Sequence, residues 1–319
     1  AMRKGWVSVV IPAYNRATRI EASVASCLEQ SYEKVQVIVV DDGSSDGTKA
    51  VLEALEARWG AERFRWISQP NQGACAARNA GLALVKSEYL NFHDSDDLLM
   101  PNKLAEQVAA LEASGADCAV SDILLVRDDA EHTPIREIRY DLDFPRVAGD
   151  FRHASIPTLL MRTSTIPDAL RWNTRLSRFQ DVDFVVRYML SIREVVYTPG
   201  FHVLYVHHEG PQITDSYDQG PLYALMFEEL MDYWAKVQTS VPRENHALFR
   251  RAAGTLAWRA ALNAEGARAR AMLRFSARGP GSLARVPKSS LTALVSTLPP
   301  STLEALRRTK RWLVRLRGA

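Results

Sequence analysis

Before Phe92 the sequence sets down four short apolar runs, each closed by a polar cluster and separated from the next by a helical pattern. Trp6-Val-Ser-Val-Val-Ile11 and Val35-Gln-Val-Ile-Val-Val40 are nearly continuous and rich in β-branched residues, the pattern of strands buried on both faces. Phe64-Arg-Trp-Ile67 and Glu88–Phe92 are shorter strand candidates. One helical pattern runs from the turn Pro12–Arg16 to about Gln30, and another covers Thr48–Arg58. An Ala-rich third opens at Asn71-Gln-Gly73 and ends near Gly81. Such alternation predicts right-handed crossovers and a parallel sheet. Ligands of open sheets of this kind sit beyond the carboxyl ends of the strands. Those ends carry Tyr14, the Asp41–Asp42 pair, Asn71 and the Asp94–Asp97 run, so polar groups and an aromatic are predicted to meet on one rim.

The acid run is the sharpest chemical signal. Asp94, Asp96 and Asp97 would repel one another strongly if left bare at close range. Carboxylate oxygens at the end of a buried strand suit a hard cation such as Mg²⁺ or Mn²⁺. Asp97 alone also suits a helix cap, because Pro101 opens the next helical pattern, Pro101–Ser114. The chain has no G-x-G-x-x-G after its first strand and no G-x-x-x-x-G-K-S/T anywhere. That argues against a dinucleotide oxidoreductase and a P-loop NTPase. A diphosphate here would have to be held by a metal and cationic side chains.

Further on, Ala116–Val126 reads as a strand, 127–151 as a loop or hairpin, and Ser155–Met161 as a strand returning to the sheet. Val182, Val185, Val186 and Met189 form a helical stripe, which puts Asp181 in a first turn where the helix dipole favours a carboxylate. Glu194–Thr198 and Phe201–Tyr205 read as two strands around Pro199-Gly200, leading to His207-His208 and a turn-rich stretch over 211–220. Helical patterns follow at Leu222–Gln238 and Asn245–Ala264. At 319 residues and 47% hydrophobic, the chain can bury a large core. The predicted division is a catalytic domain over 1–215 and a helical, basic region over 216–319. From Arg268 onward, Arg and Lys recur against the single acid Glu304, which suggests an anionic partner, either a membrane surface in peripheral contact or an acidic polymer. Cys27, Cys75 and Cys118 are odd in number and widely spaced, so a reducing compartment, the cytoplasm, is expected. No leader and no bilayer-spanning stretch are expected.

Four segments taken together resemble the family 2 glycosyltransferases of the GT-A fold. They are Val7-Ser-Val-Val-Ile-Pro-Ala-Tyr-Asn15, Val39-Val-Asp-Asp-Gly-Ser-Ser-Asp-Gly-Thr48, Asn71-Gln-Gly-x-x-x-Ala-Arg-Asn-x-Gly81 and Asp94-Ser-Asp-Asp97. Their order and spacing match, and the resemblance covers roughly residues 5–215. It implies an α/β, Rossmann-like fold with a mostly parallel central sheet flanked by helices and a C-terminal helical appendage. It also implies inverting transfer of a sugar from a nucleotide sugar, a UDP-sugar, to the hydroxyl of a sugar or lipid-linked acceptor. A polysaccharide or glycolipid pathway is the setting, with Mn²⁺ or Mg²⁺ as cofactor and no nucleic-acid partner.

By this resemblance Tyr14 stacks on the uracil and Pro12 lines the base pocket. Asp42 hydrogen-bonds the base, Asp94 the ribose or sugar, and Arg78 lies near the phosphates or donor sugar. Asn15, Asn71 and Ser95 join the nucleotide-sugar-binding set. Asp96 binds the metal, with His208 completing its shell and His207 one residue off. An inverting transfer needs one base near the acceptor hydroxyl. In the resembled family it is the Asp of a Glu-Asp or similar pair opening this helix. Gln180-Asp181 stands there, so Asp181 is the expected base, and Gln180 in place of Glu leaves Asp183 as a rival. Two other classes were weighed: a sugar-1-phosphate nucleotidyltransferase, which should carry a Gly-rich basic signature after its first strand, and a non-catalytic nucleotide- or carbohydrate-binding module.

Overall fold

The computed structural model describes residues 2–140, 155–207 and 220–263. In chain order the elements begin β1 (Arg3–Ala13), α1 (Ile20–Leu28), β2 (Val35–Asp41), α2 (Thr48–Arg63), β3 (Phe64–Ser68), α3 (Ala74–Ala83) and β4 (Ser87–Phe92). They continue with β5 (Leu98–Leu99), α4 (Lys103–Ser114), β6 (Cys118–Arg127), β7 (Pro134–Ile138), β8 (Leu159–Arg162), α5 (Gln180–Ser191), β9 (Val195–His207), α6 (Gly220–Val237) and α7 (His246–Asn263).

The strands form one sheet in the order β3-β2-β1-β4-β8-β6-β9-β5, with β7 paired to β6. From β3 to β4 every pairing is parallel, as the strand–helix alternation predicts. Beyond β4 the sheet is mixed. β8 runs antiparallel to both β4 and β6, β9 lies parallel to β6, and β5 runs antiparallel to β9. The mostly parallel character therefore belongs to the N-terminal half.

Val7, Val9, Val10 and Ile11 of β1 and Val37 to Val40 of β2 are all fully buried, as strands covered on both faces must be. On one side α3 lies close against β1 and β2, while α4 covers β6, β8 and β9. α5 packs against α6 and α7, and Phe184, Met226, Leu230 and Phe249 belong to the same buried cluster as the sheet. No helix among the described residues is long and apolar enough to cross a membrane. Cys27, Cys75 and Cys118 are buried and free. The basic segment from Arg268 onward lies outside the described residues.

Several boundaries differ from the sequence reading, each for a local reason. Pro12 lies within β1 rather than in a turn. The β4 ladder ends at Val10 opposite Phe92, so Pro12 has a sheet neighbour, Val40, on one side alone. Residues Ile156–Thr158 form a 3₁₀ turn, not strand, because Pro157 sits there, and β8 begins at Leu159. The two strands expected around Pro199-Gly200 are one, β9. Its register against β6 shifts between Ser121 and Asp122, so the Pro-Gly pair is taken up as a bulge. β5, two residues long, went unread.

The tightest contact beneath the rim is Gly81 of α3. A Cβ there would lie 2.4 Å from Val10 Cγ1 and 3.4 Å from Val40 Cγ2. Gly81→Ala is expected to destabilise the fold by about 1–3 kcal/mol, read as a lower urea midpoint. Helix propensity alone would give the opposite sign.

Candidate active site

The tips of β1 and β2 are stitched into one wall. Asn15, at φ 52, donates its N–H to Ser44 Oγ at 2.9 Å, and its Oδ1 accepts from Ser45 N at 2.9 Å. Arg16 N donates to Thr48 Oγ1 at 2.8 Å and Ala17 N to Asp46 Oδ2 at 3.1 Å. Asn tolerates the left-handed region better than most residues, and its side chain is used at once. Tyr14, carried on this wall, is 48% exposed, while its neighbours Pro12 and Ala13 are buried.

Asp42 is buried, and both of its carboxylate oxygens are engaged within the protein. Oδ1 accepts from Gln69 Nε2 at 2.7 Å and Gln72 N at 2.9 Å, and Oδ2 from Gly73 N at 2.7 Å. A carboxylate thus sits on the free N–H groups at the start of α3. Gly43 has φ 76, and a Cβ on it would meet Asn71 N at 2.8 Å, so the Asn71 loop lies directly on this turn. Asn71 itself is exposed.

One turn and more into α3, buried Arg78 crosses to the acid run. Its Nη2 donates to Asp94 Oδ1 at 2.6 Å and its Nη1 to Gln180 Oε1 at 3.0 Å, and the guanidinium lies 4.4 Å above the Trp172 ring. Trp172 is stacked on Phe184 of α5 and meets Phe92 of β4 edge-on, so the three rings form the floor beneath this bridge. Arg16 makes a second bridge, Nη2 to Asp96 Oδ2 at 3.1 Å. The Nε groups of both arginines are buried without hydrogen-bond partners among the described residues. Each retains an unused donor at the rim.

Asp97 does not cap the next helix. Its Oδ1 accepts from Val206 N at 3.0 Å, tying the acid run to the end of β9, and α4 starts six residues after it, preceded by Asn102. Asp97 Oδ2 is buried without a partner among the described residues. Burial, with the charges of Asp94 and Asp96, holds the Asp97 carboxyl well above the usual range. His93 beneath it is fully buried and bonds Asp97 O through Nε2. Burial pulls it down to about 4, so it is neutral. Ser95 is buried within the same loop.

Asp181 opens α5 opposite this run. Its Oδ2 accepts from Ile156 N at 3.2 Å, and part of its surface reaches solvent. Burial, then the charge of Asp94, pushes it up to about 7. Arg78 and the Ile156 N–H work in the other direction. Asp183 faces away from the rim. It is buried in an ion pair with Arg187, whose guanidinium also reaches Arg171 O and Glu229 of α6. The rival is thereby committed to the core.

The structure therefore gathers Asp94, Asp96, Asp97, Arg78 and Asp181 into one electrostatic neighbourhood, with Asp42 at the root of the helix that carries Arg78. His207 ends β9 next to Val206 and is exposed, while His208 lies outside the described residues. Arg16, Trp172, Gln180 as an Arg78 partner and the Ile156 N–H were missed. The one hint in the sequence was Arg16, adjoining Asn15.

The family model for glycosyl transferase family 2 matches residues 8–168, just over half of the chain. The glycosyltransferase GlyG of Streptococcus pneumoniae is 25% identical over 225 residues, spanning 66% of this chain and 74% of that protein. Several other curated relatives are matched over less than half of their own length. Among solved structures, residues 1–349 of S. aureus TarS in complex with UDP-GlcNAc align with TM-score 0.62 at 16% identity, over 96% of this chain and 92% of that one. The mannosyltransferase PcManGT from Pyrobaculum calidifontis, in complex with GDP-Man and Mn²⁺, aligns with TM-score 0.53 at 16% identity, over 96% and 79%. These likenesses place the curled mixed sheet and its flanking helices in the GT-A fold. With the family model running along the β1, β2 and β4 tips described above, the chain belongs to glycosyl transferase family 2.

Proposed function

We propose that this family 2 member transfers a sugar, with inversion, from a UDP-sugar to an acceptor hydroxyl, and that Asp181 is the base. The observation that carries the reading is Asp181 itself. It is a carboxylate at a helix N-terminus, half-buried, pushed up to about 7, and facing acids and arginines at the strand tips. A base titrating near neutrality accepts a proton readily while a substantial fraction of it stays ionised at neutral pH. Ile156 N–H fixes Oδ2, leaving the lone pairs of Oδ1 for the acceptor proton. As that proton moves to Asp181, the acceptor oxygen attacks C1 and the bond from C1 to the diphosphate oxygen breaks. Arg78 and Arg16, each with an unpaired Nε, supply positive charge for the departing diphosphate. Exposed Tyr14 offers a stacking face for the base.

Whether Mn²⁺ or Mg²⁺ fits is tested by what now faces the acids. Guanidinium groups already stand on Asp96 and Asp94, so both carboxylates are placed for a positive partner, and hard oxygens suit a hard divalent ion. No group of three His, Cys, Asp or Glu converges for a metal among the described residues. Asp96 would then be the protein's ligand and the donor's diphosphate oxygens would fill the rest of the shell. Bound there, the ion would neutralise charge on the leaving diphosphate. The Mn²⁺ in PcManGT supports this reading. The hexosyl or N-acetylhexosaminyl class of the sugar is drawn from the UDP-GlcNAc of TarS. A sugar or lipid-linked acceptor in polysaccharide or glycolipid synthesis, met at the inner face of the membrane through the basic segment after Arg268, completes the proposal.

Initial-rate profiles should rise with pH through about 7 and level off above it, because the ionised base is the active form. Asp181→Asn should keep UDP affinity, measured calorimetrically, and lose at least about 100-fold in turnover, measured as UDP release. Normal turnover by this variant would sink the assignment. The same change should raise the melting temperature at pH 8 and leave it unchanged near pH 4. The folded carboxyl of Asp181 lies above its ordinary 3.8, so the wild type loses stability as pH climbs from that value to about 7. Asp96→Ala should abolish the Mn²⁺ dependence of UDP binding.

A further inference from the structure

Arg16 ties the β1 tip to the acid run by a contact unlike any other at the site. Its pair with Asp96 is single, Nη2 to Oδ2 at 3.1 Å, with side chains 31% and 21% exposed. Its backbone is fixed. Arg16 N donates to Thr48 Oγ1, its carbonyl accepts from Arg19 N and Ile20 N at 2.9 Å, and the N–H groups of Asn15 and Ala17 are held by Ser44 Oγ and Asp46 Oδ2. A part-exposed guanidinium therefore stands on a rigid root. Arg78 is the contrast. It is buried, held at 2.6 Å to Asp94, bonded to Gln180 and seated on Trp172, so it has no freedom to leave.

We propose that Arg16 is an internal counter-cation of Asp96, which it surrenders to a divalent ion before taking the donor's diphosphate as its new partner. This rests on the glycosyl-transfer reading and adds an order of events to it. A part-exposed ion pair with one hydrogen bond is weak and screened by water and salt. A divalent ion held by the Asp96 carboxylate would displace so weak a partner and leave the guanidinium free for the diphosphate. The released guanidinium keeps a planar fork of donors matched to phosphate, including the Nε that now has no partner. Asp96 thus has a cationic partner whether or not the ion is bound. Metal and Arg16 compete in the free protein and act together in the donor complex.

That double role gives a signature no purely structural residue would show: removing the guanidinium should move two affinities in opposite directions. The full chain and its Arg16→Gln and Arg16→Lys variants are titrated with Mn²⁺ alone, following free ion by electron paramagnetic resonance. They are then titrated with UDP at saturating Mn²⁺ by calorimetry. Arg16→Gln should bind Mn²⁺ about three-fold more tightly and UDP about ten-fold more weakly. Arg16→Lys, which keeps the charge and loses the fork, should match the wild type for Mn²⁺ and still weaken UDP binding. Weakening of both affinities by Arg16→Gln, or no change in either, overturns the proposal. Should Arg16→Gln fail to fold by circular dichroism, unchanged UDP affinity in Arg16→Lys overturns it alone. A wild-type chain that binds neither Mn²⁺ nor UDP overturns the glycosyl-transfer reading itself, an outcome distinct from the others.

Discussion

Four carboxylates share one neighbourhood at the tips of this sheet, and compensating their repulsion is the constraint around which the site is built. Two unit charges 4 Å apart interact by about 4 kcal/mol at an effective dielectric of 20, enough to unseat a loop if unanswered. The answers differ by residue. Asp94 has buried Arg78, Asp96 has half-exposed Arg16, and Asp97 has the Val206 N–H. Asp181 has the Ile156 N–H and, further off, the charge of Arg78. Asp97 and Asp181 are answered incompletely, and both are driven toward the protonated form. For Asp97, buried and with no second partner among the described residues, that is a cost of holding the loop. For Asp181, open to solvent on one side, it is the property a base requires.

The sheet makes this arrangement rigid by bringing distant chain segments to one edge. β1, β2 and β4 end side by side, so loops some thirty or more residues apart in sequence are locked together by hydrogen bonds such as Arg16 N to Thr48 Oγ1. Asp42 extends this logic to α3. By accepting from Gln72 and Gly73 it sets the start of the helix, and the helix then delivers Arg78 to Asp94. The Phe92–Trp172–Phe184 cluster fixes the far side, connecting β4 to α5 beneath the bridge. Gly81 allows α3 to lie this close to Val10.

The N-terminal half was readable because its signals are local. Buried parallel strands need unbroken β-branched runs, and the polar residues that close them are contiguous with the strand that places them. Tyr14, Asp42, Asp94 and Asp96 could be placed at strand ends from their own segments for that reason, whereas Arg78 was named through the family resemblance alone. What the sequence concealed depends on partners far along the chain. The engagement of Asp97 with Val206 spans 109 positions, and nothing near Asp97 distinguishes that bond from a cap. Asp183 and Asp181 look equivalent on the helix until Arg187 and Glu229 appear beside one of them. Lys103 sits in a polar-looking first turn, yet it is fully buried, bonded to Gln107 at 2.7 Å and pulled down to about 7 by desolvation. β9 shows the reverse error, since a Pro-Gly pair reads as a break where a long parallel ladder to β6 absorbs it.

Gln180 shows how finely the charges are balanced. Its Oε1 accepts from Arg78 and its Nε2 donates to Leu176 O at 2.9 Å, so the amide uses both ends where a carboxylate could use one. A glutamate in its place would keep the bond to Arg78 and lose the bond to Leu176. It would also set another negative charge one residue from Asp181, beside a carboxyl already pushed up by burial and by Asp94. The Asp181 carboxyl would then be protonated over more of the neutral range, and Arg78 would be divided between two carboxylates. A neutral acceptor at 180 holds the guanidinium in place without drawing on its charge, and so keeps the Asp181 carboxyl ionisable near neutrality.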